Sequence, residues 1–295
     1  MIPSRVNGEA CDRLMTLFCW GCALTLTLVL AAILGFLFFK GWHVLGPKLI
    51  FGEVRPLDAL LFKKRVFSGL FPAALGTFCL ICLAVGTALP LGLACGIYMA
   101  EYASNRVKSF FSLMVDILAA IPSIVVGLFG FSITVFLHHY FGGRILPCLG
   151  ISGIALAFLV LPYIVKTTRI ALEQIPLEIR MTGLSLGASP LQNLRHVLIP
   201  ASLSDIMAGI VLAIGRCAED TAVIMLTGVV ATAGVPKSLF SPFEALPFFI
   251  YYTASEYSDP AELEAAYGAA LILLAICTGL FIISFQIKRR YNSFN

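Results

Sequence analysis

Six long apolar runs, nearly free of charge, decide what this chain can fold into. They extend from Leu14 to Phe39, Val66 to Ala100, Phe110 to Leu137, Ile145 to Val165, Ile206 to Val230 and Ala265 to Ile287. About 20 apolar residues cross a bilayer's hydrocarbon core as a helix, which satisfies its own backbone hydrogen bonds there. Only 12% of the 295 residues are charged and 59% are hydrophobic, against roughly 25% charged in a soluble domain. The runs therefore predict an all-α integral membrane protein with about six transmembrane helices. The first run exceeds the apolar region of a signal peptide and reads as a retained span.

The interruptions carry information. Pro72 and Pro90 fall in the second run, which is long enough to be tilted, kinked or to begin with an interfacial turn. The third run contains Asp116 alone; the fifth carries Arg216, Glu219 and Asp220 near its middle; the sixth stops at Lys288, Arg289 and Arg290. Six spans put both termini on one side. With the termini cytoplasmic, eleven basic residues lie inside (Arg5, Arg13, Arg106, Lys108, Lys166, Arg169, Arg180, Arg195, Lys288, Arg289, Arg290). Eight lie outside (Lys40, Lys48, Arg55, Lys63, Lys64, Arg65, Arg144, Lys237). The positive-inside rule thus favours cytoplasmic termini by a thin margin.

The net charge of +4 is scattered rather than gathered into a stripe, which argues against a nucleic-acid partner. Seven of nine cysteines lie well inside apolar runs, where cysteine acts as a small hydrophobe, and only Cys11 and Cys148 sit near run edges. Cys19 and Cys22 form a single C-x-x-C with no second pair, and His138 and His139 after the third run have no evident third ligand, so no metal site is expected.

Two connecting segments are large. From Lys166 to about Asp205, Leu184, Leu191, Leu194 and Leu198 recur at helical spacing and predict one apolar face. From Ala231 to Glu264, Ser238 to Tyr251 is apolar but broken by Glu244 and two prolines, as in an interfacial or re-entrant element.

The first segment reads Met181-Thr-Gly-Leu-Ser-Leu-Gly187-Ala188-Ser189-Pro-Leu191-Gln-Asn-Leu194-Arg-His-Val-Leu198-Ile-Pro200. It resembles the coupling loop of bacterial ABC-importer permeases: Glu-Ala-Ala, three residues, Gly, nine residues, Ile-x-Leu-Pro. Gly187 takes the glycine place, nine residues follow, and Val197-Leu198-Ile199-Pro200 closes the pattern, whereas Met181-Thr182-Gly183 replaces Glu-Ala-Ala. The resemblance implies that Gly187, Ala188, Ser189, Leu191, Leu194, Leu198 and Pro200 form the ATPase-coupling loop. A glycine permits a sharp reversal, an apolar face enters a groove, and Pro200 is expected where the chain turns back toward the membrane. Gly183-Leu-Ser185-Leu-Gly187 also satisfies G-x-S-x-G, without the strand and helix that a hydrolase elbow requires.

Pro122-Ser123-Ile-Val-Val-Gly127-Leu-Phe-Gly130 and Gly215-Arg216-Cys217-Ala218-Glu219-Asp220-Thr221-Ala222 resemble segments of the phosphate-specific branch of these permeases, of the A type. With Gly96 to Tyr102, Ile250 to Tyr252 and Ala266 to Gly268, the resemblance covers about residues 66 to 290. It implies a type I ABC-importer permease fold, with residues 1–65 as an N-terminal span and first outer loop, and 66–290 as the permease core with its coupling loop at about 178–202. It also implies a bacterial cytoplasmic (inner) membrane location and translocation of inorganic phosphate. The implied partners are an ATP-binding subunit dimer, a second permease subunit and an extracytoplasmic phosphate-binding protein. ATP and Mg would be used by the ATP-binding subunit, since no G-x-x-x-x-G-K-[ST] loop occurs here.

Arg216 is informative without the family. A charge in mid-span is costly and normally faces a bundle interior or a water path. Glu219 and Asp220 lie three and four residues on, within reach on one helical face. The guanidinium fork suits a tetrahedral oxyanion, although a structural ion pair would show the same spacing. Ser123, Thr134 and Thr221 could add hydroxyls, and Asp116 faces either the path or the interface. Here the branch's Gly-Glu is Glu219-Asp220, which leaves phosphate or another oxyanion open. A secondary transporter should show an internal repeat, and a membrane enzyme a convergent nucleophile, base or metal set; neither is evident.

Overall fold

The computed structural model describes residues 5–52, 54, 69–143 and 146–292. Among them the helices are α1 (Arg5–Gly41), α2 (Pro47–Phe51), α3 (Phe71–Ile97), α4 (Asn105–Ala120), α5 (Ser123–Tyr140), α6 (Leu149–Glu173), α7 (Leu177–Ser185), α8 (Pro190–Asn193), α9 (Ile199–Glu219), α10 (Ala222–Thr227), α11 (Leu246–Glu256) and α12 (Pro260–Asn292). A π turn at Tyr98–Tyr102 extends α3, and another at Leu194–Leu198 joins α8 to α9. Among the described residues six helical stretches are long and apolar enough to cross a membrane, as the apolar runs predict. The expected boundary between residues 65 and 66 lies outside the described residues, as do Arg55, Lys63, Lys64, Arg65 and Arg144.

Helix α6 is the centre of the bundle and packs on α3 and α9. Lipid tails are as apolar as leucine, so close approach of backbones, rather than escape from water, holds such helices together. Small residues accordingly sit at the contacts: Ala84 and Ala88 of α3 and Ala213 and Ala218 of α9 are buried in the main core with Leu156, Val160 and Ile164 of α6. By contrast, the span within α1 has none of its apolar window buried and leans on α12 through Phe36 and Tyr267, whose rings meet edge to face at 5.7 Å.

The third and fifth runs are not single helices. Pro122 disfavours helical backbone at the preceding residue, and Ile121 is extended at φ −67°, ψ 126°. The third run is thereby split into α4 and the spanning α5. Asp116, on α4, pairs at 2.6 Å with Lys166 of α6 as a half-exposed ion pair. The fifth run breaks where Asp220 leaves helical geometry at φ −78°, ψ 111°, and α10 ends at Gly228. The fourth run's helix continues eight residues past Val165, so Lys166 and Arg169 ride on a spanning helix rather than in a loop. His138 and His139 likewise occupy the last turn of α5. The expected re-entrant element is a short helix, α11, packed on α12 and α3 and preceded by an irregular segment.

Glycine decides one contact that places the site. On α5, a Cβ at Gly127 would come within 3.0 Å of the Ala222 carbonyl oxygen, and one at Gly130 within 2.7 Å of Thr227 Cγ2. These two positions seat α10 against α5, so the two sequence segments Ser123 to Gly130 and Gly215 to Ala222 are neighbours through α10.

Candidate functional site

Arg216 lies in the last turn of α9, one helical turn before the break. Its Nη1 donates to Glu219 Oε1 at 2.6 Å and its Nη2 faces Asp220 Oδ2 at 3.6 Å. The two acids differ in kind. The Glu219 side chain is 63% exposed, whereas that of Asp220 is 2% exposed. Asp220 is also fixed from its other oxygen: Oδ1 accepts the backbone N–H of Val223 at 2.9 Å and so caps the start of α10. One carboxylate is built into the fold and the other is held by the guanidinium alone.

A cleft of about 730 Å3 opens beside this cluster, walled by Val211, Leu212 and Gly215 of α9, Tyr163 of α6 and Phe281 of α12, with Arg216 and Glu219 exposed into it. Nε of Arg216 is buried and has no hydrogen-bond partner. The cleft thus combines apolar walls with one arginine whose donors are incompletely used, leaving room for an anion beside the guanidinium.

Of the residues predicted to line the path, Arg216, Glu219 and Asp220 are brought together. Thr221 is half-buried at the break, and its carbonyl accepts from Met225 N–H in α10. Ser123 opens α5 and is absent from the cleft wall. Thr134 is buried with its hydroxyl donated to the Gly130 carbonyl, the common fate of a hydroxyl in a spanning helix. Tyr163 and Phe281 were not foreseen, because a lone aromatic residue in an apolar run gives no sign of facing a cavity.

The second site is the reversal between α7 and α8. Gly187 has φ +82°, a conformation costly for residues with a Cβ. Nothing lies within 4 Å of where that Cβ would be, so the glycine serves the turn rather than packing. Ala188 N–H donates to the Gly183 carbonyl, closing α7, and Ser189 begins α8 with a capping box: its hydroxyl accepts from Gln192 N–H while Gln192 Oε1 accepts from Ser189 N–H. The four leucines do not share a face. Leu194 and Leu198 are buried with Leu172 and Ile175, while Leu184 and Leu191 are exposed. The π turn rotates the later pair inward, and the outer surface is instead made by Leu177, Leu186 and Leu191, 67% to 84% exposed. Pro200 does not mark the return of the chain, which reverses at Gly187 to Ser189. It lies in the first turn of α9, where the preceding π turn already shifts the backbone bonding that proline could not join.

Comparisons with known proteins agree with this architecture. Residues 92–293 match the model of the binding-protein-dependent transport system inner membrane component family. The phosphate transport system permease protein PstA of Yersinia pestis is 34% identical over 213 residues, covering 71% of this chain and 68% of that protein. The PstA protein of Haemophilus influenzae is 31% identical over 224 residues, 75% and 77% of the two chains. A probable ABC transporter permease protein of Bacillus subtilis, YqgI, is 26% identical over 285 residues, 92% and 93% of the two. Among solved structures, the inward-facing MetNI methionine ABC transporter aligns at TM-score 0.57 and 18% identity, covering 81% of this chain and 99% of that one. An importer of the acidic polysaccharide alginate aligns at TM-score 0.56 and 13% identity, over 94% and 99%. The chain therefore belongs to the binding-protein-dependent transport system inner membrane component family, the multi-pass permease subunits of ABC importers, with the type I fold.

Proposed function

We propose that this permease passes inorganic phosphate through the cleft beside Arg216. The observation that carries the reading is the pairing of Arg216 with one fixed and one displaceable carboxylate. A tetrahedral oxyanion entering the cleft competes with exposed Glu219 for Nη1, while Asp220 keeps the guanidinium aimed. Glu219 thus acts as a stand-in for the anion when the path is empty, and its release removes the cluster's net negative charge and frees Nη1 for the anion. The names of the PstA relatives support phosphate as the anion.

Members of this family work with ATP-binding subunits and substrate-binding proteins. For this chain the reading assigns ATP and Mg to a dimer of ATP-binding subunits docked at the reversal around Gly187, the second half of the path to a related permease subunit, and delivery to an extracytoplasmic phosphate-binding protein. The core runs from about residue 66 to 290, with termini in the cytoplasm. Uptake of labelled phosphate into cells lacking their own carrier tests the assignment. Arg216→Gln abolishes uptake and Arg216→Lys, a point charge without the fork, retains at most a part. Near-native uptake by a surface-expressed Arg216→Gln chain would reduce Arg216 to a structural ion pair.

A further inference from the structure

The reversal is tied to the spanning helices through one arginine. Arg180, on α7, donates from Nη1 to Glu101 Oε1 at 2.7 Å and from Nη2 to the Leu172 carbonyl at 2.6 Å. Its own carbonyl accepts from Asn193 Nδ2 at 2.9 Å. Glu101 belongs to the π turn that ends α3, Leu172 to the last turn of α6, and Asn193 closes α8. Among the described residues this is the ion pair that joins the reversal to a spanning helix; those of Asp116 and Glu173 link α4 with α6 or lie within α6. It is shielded as well, with 23% of the arginine and 15% of the glutamate side chain exposed. Beneath it Leu172, Ile175, Leu194 and Leu198 pack with Ile97 and Ala100.

We propose that Arg180 and Glu101 form the joint that carries movement of the reversal to α3, which makes Arg180 a positioning residue for transport that never touches the anion. Only residues 174–176 separate α6 from α7. A force on the exposed side of the reversal, at Leu186 or Leu191, would turn α7 about that short link unless a second point held it. The planar fork supplies that point, because it bonds a carboxylate and a carbonyl in fixed directions. From the π turn, displacement passes along α3, which packs directly on α6 and α9, and α9 bears Arg216. Glu101 sits in a π turn, whose wider backbone bonding commonly marks functional positions in helices.

The inference rests on reading the reversal as the docking element for the ATP-binding subunit, and its test separates the two. The full-length chain, purified with its own ATP-binding, permease and binding-protein subunits, is reconstituted in liposomes. ATP hydrolysis is measured with and without binding protein loaded with inorganic phosphate. Glu101→Ala and Arg180→Met each lower the ratio of stimulated to basal hydrolysis about tenfold, a common size for coupling between sites. The double variant falls no further, because the two residues act as one unit. Glu101→Gln, which is isosteric and keeps an acceptor, loses about threefold and decides the matter should the alanine variant fail to assemble. A native ratio in assembled Glu101→Ala or Glu101→Gln complexes, or losses that multiply in the double variant, overturns the joint. Failure of the ATP-binding subunit to co-elute with the unsubstituted chain overturns instead the docking reading on which it stands.

Discussion

Asp220 has two separable tasks, and two substitutions divide them. Its Oδ1 caps Val223 N–H at 2.9 Å and its Oδ2 faces Arg216 at 3.6 Å. Removing a helix cap costs about 1 kcal/mol, with a range of about 0.5–2. The attraction to Arg216 adds on the order of 1 kcal/mol once the guanidinium's partial exposure to solvent is discounted. Asp220→Ala forfeits both and should destabilise the chain by about 1.5–3 kcal/mol, or roughly 3–12 °C in melting temperature at about 2–4 °C per kcal/mol for domains of about 200 residues. Asp220→Asn keeps an oxygen for the cap and no longer buries a charge, so its melting temperature should stay within about 1 °C of native. Uptake should separate the same pair differently. With Asn at 220, Arg216 is held by Glu219 alone, which is exposed, and transport should fall several-fold although the fold is intact. Thermal unfolding in detergent, read beside labelled-phosphate uptake at matched surface expression, supplies both numbers. Equal melting temperatures for Asn and Ala would show that the cap contributes nothing, and native uptake by Asp220→Asn would show that Asp220 does not aim Arg216.

Gly187 requires left-handed backbone but has open space around it, so Gly187→Asn should keep most coupling while Gly187→Val, strained by about 1–2 kcal/mol, loses it; native stimulated ATP hydrolysis by the valine variant would contradict this. Burial raises the Glu244 carboxyl above its ordinary value, partly offset by the Gly234 N–H that it accepts. The folded chain then binds that proton more tightly than the unfolded one, so this contribution to stability is full at low pH and declines as pH rises through the raised value; Glu244→Gln should abolish that decline in melting temperature, and an unchanged pH profile would refute it. In a chain freed of its native cysteines, a cysteine at Ser255 should react with an impermeant thiol reagent from outside and one at Ser189 should not, the reverse pattern inverting the topology.

Much of the span plan was legible because a bilayer demands long apolar helices, and composition reports that directly. The breaks were less legible. Pro122 falls inside an apolar run, and hydropathy is blind to a proline that ends one helix and opens the next. The end of α9 at Asp220 required knowing that its carboxylate reaches forward to Val223, a local contact that competes with continuing the helix. The Arg216 cluster could be read from spacing, since partners three and four residues apart must face one another on a helix. Glu101 and Arg180 lie 79 residues apart, and only the tertiary fold brings them together. The leucines of the reversal misled for a related reason: helical periodicity assumes an unbroken α-helix, whereas the reversal at Gly187 to Ser189 puts Leu184 on a different helix from Leu191, and a π turn follows at Leu194–Leu198.

The break at Asp220 also bears on why a charge survives in this bundle. An arginine in the middle of a continuous span must find partners on other helices or face an open path. Here the helix stops one turn beyond it, and the stopping residue is itself a partner. The two carboxylates outnumber the guanidinium, so the cluster carries one net negative charge while both are ionised. Such a cluster repels an anion until Glu219 moves away, and Glu219 is the member with the freedom to move. On the proposed reading, anchoring belongs to the buried acid and admission to the exposed one. Exchanging these roles, by shortening Glu219 to alanine rather than neutralising Asp220, should leave Arg216 in place and the path permanently receptive. The measurable consequence is phosphate-dependent ATP hydrolysis that no longer requires the binding protein; continued dependence on it in Glu219→Ala would remove Glu219 from the gate.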